Sequence, residues 1–172
     1  MSYTSLYDIY KTKKNEIAEF PNGHGSAPPV WAWLCKNYLG PKSYWHSAGK
    51  ELWALADDPR VPLNVRLCHV FTFDYALVLP QHFQRMSEAC AEMHTILYAW
   101  PDWLGCVNHW GAMSELFKTH KVGKRCQGVG MRCTSVCDVW DEYPKRNKDR
   151  VFDCVGSLLK EETTVECLGD KV

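Results

Sequence analysis

No stretch of this chain approaches the roughly 18 consecutive apolar residues that a membrane-spanning helix needs, so no membrane partner is expected. The opening Met1-Ser-Tyr-Thr-Ser-Leu-Tyr-Asp8 lacks a charged region followed by an apolar run, so no export signal is expected either. Net charge is missing as well. Twenty Lys and Arg balance twenty Asp and Glu, and the sequence pI is about 7.0. A whole-molecule DNA mimic would be strongly acidic and a bulk polyanion binder strongly basic, so neither class fits. There is no Gly-x-Ser-x-Gly elbow, no glycine loop ending in Gly-Lys-Ser or Gly-Lys-Thr, and no pair of Cys-x-x-Cys knuckles. Repeats and low-complexity tracts are also lacking.

What is present is aromatic. Eight Trp, eight Tyr and six Phe make up 13% of 172 residues, so flat rings must supply a large share of the buried area. The same residue types are enriched at binding hot spots. The nine cysteines are odd in number, in a chain too large to need disulfide staples. Reduced thiols in a cytoplasm are the expectation.

Local patterns predict the elements. Leu6 to Tyr10 and Ile17 to Phe20 alternate loosely, as short strands or an extended arm would. Pro21-Asn-Gly-His-Gly25 is a turn cluster. Ser26 stands where a helix cap belongs, with Pro28 and Pro29 in the first turn, and the helix stops at Gly40-Pro41. A second helix is predicted from Ser43 to Ala56 and a third from Pro62; Phe71 to Leu79 has the option of turning extended. The clearest helix carries Phe83, Met86, Cys90, Met93 and Leu97 at 3-4 spacing. A fifth is predicted over Asp102 to His120 with Leu104, Val107, Met113 and Phe117 inward. Gly128 to Val139 suits a strand or an irregular loop, and Arg150 to Leu159 fits helix and strand equally. The sum is a mostly α fold of about five helices, with a short extended N-terminal arm and an irregular C-terminal part in which β-structure is an open alternative. One domain over residues 1–172 is expected: a helical core over about 26–120, an irregular segment over about 121–159 and a loosely held tail.

Three kinds of chemistry have candidate residues, each with a plainer account beside it. Cys106-x-x-His109, with Cys126, Cys133 and Cys137 downstream, is a candidate soft-metal set, zinc being the metal it would suit. The plainer account is thiols that pack as small hydrophobes and no cofactor. Any of seven histidines has a cysteine or serine to pair with, and His24 in its turn is the one most free to meet a ligand; His94, beside an apolar stripe, reads as a core histidine. From Lys118 to Arg150 nine basic residues face four acidic ones. Lys121, Lys124, Arg125 and Arg132, among the glycines of this region, are the candidate contacts for an anion or a nucleic acid. The plainer account is a solvated turn. Asp138, Asp141 and Glu142 form an acidic triplet with the same two readings, Mg²⁺ or water.

The preferred candidate is an aromatic surface. At about 100° per residue, Val30, Trp31, Leu34 and Tyr38 share one helix face, and Trp33 falls outside it. In the next helix Trp45, Ala48, Leu52 and Ala56 share a face, and Trp53 falls off it. Trp33 and Trp53, near Tyr44 and Trp45, are therefore the expected partner-binding residues, unless a second layer such as the N-terminal arm covers them.

Ala18-Glu-Phe-Pro-Asn-Gly-His-Gly-Ser-Ala-Pro-Pro-Val-Trp-Ala-Trp-Leu34, with Phe71-Thr-Phe-Asp-Tyr-Ala-Leu-Val78, resembles small uncharacterised accessory proteins of tailed phages. The likeness covers about a third of the chain and brings no catalytic residue. It implies a protein made in the bacterial cytoplasm that binds, blocks or redirects a host or defence protein. Sequence alone thus favours a non-enzymatic binding protein and inhibitor; the alternative is a nucleic-acid-binding protein or metal-dependent enzyme using Gly123 to Arg150. Partner identity and oligomeric state are not encoded in any motif.

Overall fold

The structure, a computed structural model, describes residues 2–40, 43–73, 75–133 and 151–160. Its first element corrects the expected arm. Strand β1 (Tyr3–Ile9) turns through Tyr10 to Lys13 into β2 (Lys14–Pro21), and β4 (Gly128–Cys133) pairs with the other side of β1. Both pairings in this sheet are antiparallel, in the order β2-β1-β4, with a bulge in β2 opposite Leu6 and Tyr7. β1 is therefore the central strand and buries Thr4 to Ile9 without a break. Leu6 faces the main core with Val129 and Met131, whereas Tyr7 and Ile9 face a smaller cluster with Leu77. The sheet is a full layer, so the fold is mixed α and β.

The helices fill the other layer. Helix α1 (Ala27–Leu34) has its prolines in the first turn, where no intrahelical N–H is lost. Ser26 precedes it without capping it; instead its carbonyl accepts the Trp110 indole N–H at 2.9 Å. α1 runs on into a wide π turn, Cys35–Leu39, closed by the Gly40 amide donating to Cys35 O at 3.0 Å. Gly40 has φ 117°, a conformation open to glycine. The predicted second helix is two short ones, α2 (Trp45–Ala48) and α3 (Lys50–Ala54), parted at Gly49 with φ 52°.

α4 (Leu63–Phe71) leads into β3 (Ala76–Leu77), so the Phe71 to Leu79 run does turn extended. Val78 and Val129 then exchange both backbone bonds at 2.9 Å, joining the β3 edge to β4. α5 (Phe83–Ala99) buries all five residues of its predicted stripe. It packs on α6 (Trp110–Thr119), where Ser87 and Ser114 each donate a hydroxyl to the other's carbonyl, at 2.9 and 2.8 Å. The ambiguous C-terminal piece is both things at once. Phe152–Asp153 is β5, parallel to β3, and residues 154–160 are helical. Cys154 meets Cys68 of α4 and Cys90 of α5 in the core.

The predicted fifth helix begins later than expected. Pro101 to Trp103 is a single 3-10 turn, Gly105 has φ 77°, and the helix starts only where Asn108 Oδ1 accepts the Trp110 amide at 3.1 Å. Leu104 and Val107, expected inward, are exposed in the loop between. Met113 and Phe117 are buried as predicted. Among the described residues no helix is long and apolar enough to cross a membrane.

Candidate functional site

The four residues expected to bind a partner do not act alike. Trp33 is half-buried and packs on the main core, its ring 5.9 Å from Tyr38. An ordinary α-helix would set residues five apart about 140° apart, so the π turn is what swings Tyr38 toward Trp33. Trp53 is 42% exposed, yet its ring is held on three sides, edge-on to Trp31 and Phe73 and stacked on His69. None of these holding residues comes from the N-terminal strands. Trp45 is half-buried against Trp31, with centroids 5.4 Å apart. Tyr44 is the open member, 64% exposed.

Tyr44 and Trp45 form one wall of a hollow that sequence reasoning missed. The other wall is Trp100, Asp102 and Trp103, and Ala32, Lys36 and Ser43 complete a space of about 270 Å³. α5 ends at Trp100 because Pro101 cannot continue the ladder, and the 3-10 turn then stacks Trp103 on Trp100 at 6.1 Å and 5°. Trp103 Nε1–H donates to Val107 O at 3.1 Å, which fixes the turn. Across from it the π turn presents Lys36. Its ammonium lies 5.9 Å from the Trp100 ring centroid and is ion-paired with Asp102. Trp103 also lines a second hollow of about 360 Å³ with Leu97, Tyr98, Leu104, Gly105, Cys106 and Asn108. There Tyr98 is 74% and Leu104 71% exposed. A strip from Tyr44 to Leu104 is therefore aromatic and apolar, with one ion pair set in it. The signal available in the sequence was Trp100-Pro-Asp-Trp103, which is easily taken as a mere helix boundary.

The candidate metal residues have separate occupations. His109 Nε2–H donates to Asn22 O at 3.0 Å, its ring stacks on Phe20, and its amide donates to Gly25 O at 2.9 Å. It anchors the 22–26 turn to α6, and the Cys133 thiol donates to Gly23 O of the same turn at 3.4 Å. Cys106 is exposed in the second hollow, and Cys126 lies beside β1. Cys137 and the triplet Asp138, Asp141 and Glu142 lie outside the described residues. Among the described residues no three His, Cys, Asp or Glu side chains converge as metal ligands. His24 is exposed in the 22–26 turn. His94 is half-buried against Gly111.

The basic candidates surround a different centre. Lys121, Lys124 and Arg125 are exposed in the loop before β4, and Arg132 lies half-buried on β4 beside Tyr7. Two of the loop amides are already engaged: Cys126 N donates to Gly123 O at 3.1 Å and Gln127 N to Ile9 O at 2.7 Å. Under the loop, His120 Nε2–H donates to the buried Asp8 carboxylate at 2.8 Å, and Cys126 lies close to the same carboxylate. Burial first, and then the Asp8 charge, push the Cys126 thiol up. A thiol held protonated is a weaker nucleophile than a thiolate.

The largest of these hollows, about 700 Å³ beside Ser2, Tyr3, Glu19, Pro21 and Asn22, is an open notch at the sheet edge with one carboxylate. No protein-family model, curated protein or solved structure matches the chain.

Proposed function

We propose that the chain is a non-enzymatic protein-binding module whose contact face runs from Tyr44 and Trp45 across Trp100 and Trp103 to Tyr98 and Leu104. The observation that supports this reading is the strip itself: Tyr44, Tyr98 and Leu104 are each more than three-fifths exposed around two adjoining hollows. Large apolar side chains exposed together favour aggregation unless a partner covers them. Ring-lined pockets with a desolvated centre are where interface energy concentrates. The proposed partner is a host or defence protein of a bacterium, as the resemblance to phage accessory proteins implies, and the proposed effect is inhibition or redirection. The basic loop at Lys121, Lys124 and Arg125 is the weaker candidate, because two of its amides are bonded internally and it stands beside the Asp8 carboxylate.

The test compares tagged wild-type protein with a Tyr44→Ser/Leu104→Ser variant in pull-downs from bacterial lysate, the fold of each being checked by circular dichroism. A photo-crosslinker at position 98 and a control crosslinker at Lys13, in the β1–β2 turn, locate the contact. Capture is expected to fall by about tenfold or more in the double variant, and crosslinks are expected from position 98 alone. A folded double variant that retains every partner sinks the reading.

A further inference from the structure

The hollow between α2 and the Trp100–Trp103 turn already holds a cation, and the cation belongs to the chain itself. Lys36 lies over the Trp100 face and is paired with Asp102, while both side chains stay half-exposed. An exposed lysine–carboxylate pair is screened by water and adds little stability, so little holds this lysine in place. Around it the rings of Tyr44, Trp45 and Trp103 line space that the lysine leaves open.

The polarity of those walls decides what fits. Ring faces carry the negative part of the aromatic quadrupole, so they attract cations and disfavour anions. Asp102 has the same preference. Among the described residues a ligand anion would have only Lys36 to meet it, and it would have to separate Lys36 from Asp102. A guanidinium is better matched than an ammonium: it is flat, stacks on rings and engages a carboxylate with two parallel N–H donors. The space is below that of a drug-sized pocket and suits one side chain.

We propose that this hollow is an arginine-binding subsite in which Lys36 is a resident placeholder, displaced into solvent when a partner protein inserts a guanidinium between the indoles and Asp102. The adjoining hollow at Tyr98, Trp103 and Leu104 takes an apolar residue next to that arginine. The inference rests on the binding face proposed above and names the chemistry of its partner.

The test uses ethylguanidinium chloride as the probe, with butylammonium chloride and methyl glucoside as comparisons at constant ionic strength. Indole N–H signals of Trp100 and Trp103 are followed by NMR. The Trp110 signal, buried and bonded to Ser26 O, serves as the internal control for an intact fold. Replacing Lys36 (Lys36→Met) removes the competitor and is expected to tighten ethylguanidinium about five- to tenfold over wild type, with butylammonium weaker than ethylguanidinium in both proteins. Adding Asp102→Asn to that variant is expected to abolish the saturable shift.

Absence of a saturable shift at either indole in the Lys36→Met protein overturns the proposal. So does undiminished binding after Asp102→Asn, or an equal response to methyl glucoside, which would make the rings a neutral stacking platform. A concentration-dependent dimer broken by Tyr44→Ala, seen by sedimentation, would make the occupant a second copy and overturn it as well. If partner capture depends on Tyr44 and Leu104 while ethylguanidinium leaves the indoles unmoved, the binding face stands and the arginine subsite falls.

Discussion

The indole of Trp53 lies over the imidazole of His69 with ring centroids 5.7 Å apart and planes within 7° of parallel. The pair is half inside and half outside the protein: Trp53 is partly open to water, and His69 is fully enclosed. Phe73 meets both rings edge-on, and His69 Nε2–H donates to Leu52 O at 2.9 Å. Among the described residues nothing hydrogen-bonds the buried Nδ1 of His69. A proton added there would carry charge into an aromatic box.

This arrangement makes stability depend on pH in a stated direction. Burial lowers the His69 pKa from 6.5 to about 4, and the Leu52 carbonyl opposes that only in part. As pH falls below about 6.5 the unfolded chain takes up a proton that the folded chain refuses until about pH 4. The contribution is therefore fully present above pH 6.5 and is lost progressively down to about 4. The gap corresponds to about 3 kcal/mol. Urea unfolding midpoints between pH 4 and 7 measure it. A His69→Phe variant is expected to show a shallower slope than wild type in that window, and parallel slopes would refute the assignment.

Gly128 marks a close approach of two backbones. A Cβ at that position would stand 2.5 Å from Val78 O and 3.1 Å from Val78 C, against main-chain atoms that the bridge between Val78 and Val129 holds in place. Gly128→Ala is expected to cost about 2–3 kcal/mol, read from the denaturation midpoint. A change below about 0.5 kcal/mol, within the range of ordinary surface substitutions, would mean that β3 and β4 are not docked as described.

Thiol labelling separates the cysteines by place. Cys106 is exposed, whereas Cys35, Cys68, Cys90 and Cys154 are buried. Burial pushes the Cys68 thiol well up, and neighbouring Cys90 adds to it; burial does the same to Cys154. Peptide mapping after a brief pulse of iodoacetamide on native protein is expected to find Cys106 modified and these four protected until denaturant is added. Native labelling of Cys68 or Cys154 at the rate of Cys106 would contradict the packing of α4, α5 and residues 154–160.

What the sequence disclosed follows from how regular each element is. The stripe from Phe83 to Leu97 was legible because an uninterrupted α-helix repeats its buried face at fixed spacing. The same spacing misplaced Leu104 and Val107, since periodicity cannot register that a 3-10 turn and Gly105 intervene. β1 was obscure for another reason. A strand buried on both faces loses the alternation that identifies a half-exposed one, so Thr4, Ser5 and Asp8 lie inside with Leu6 and Ile9. At the candidate site Tyr44 and Trp45 were anticipated. Trp100, Trp103 and the ion pair of Lys36 with Asp102 were not, because residues 66 positions apart meet only through the folded chain.

The wide turn at Cys35–Leu39 has a consequence for how this protein can change. Each π turn accommodates more chain than an α turn does. Shedding one residue there would let the helix close at ordinary pitch, with its hydrogen-bond ladder unbroken. Trp33 and Tyr38 would then stand four apart, about 40° around an ordinary helix, so their rings would stay on one face. This segment can therefore shorten by one residue without parting those two rings.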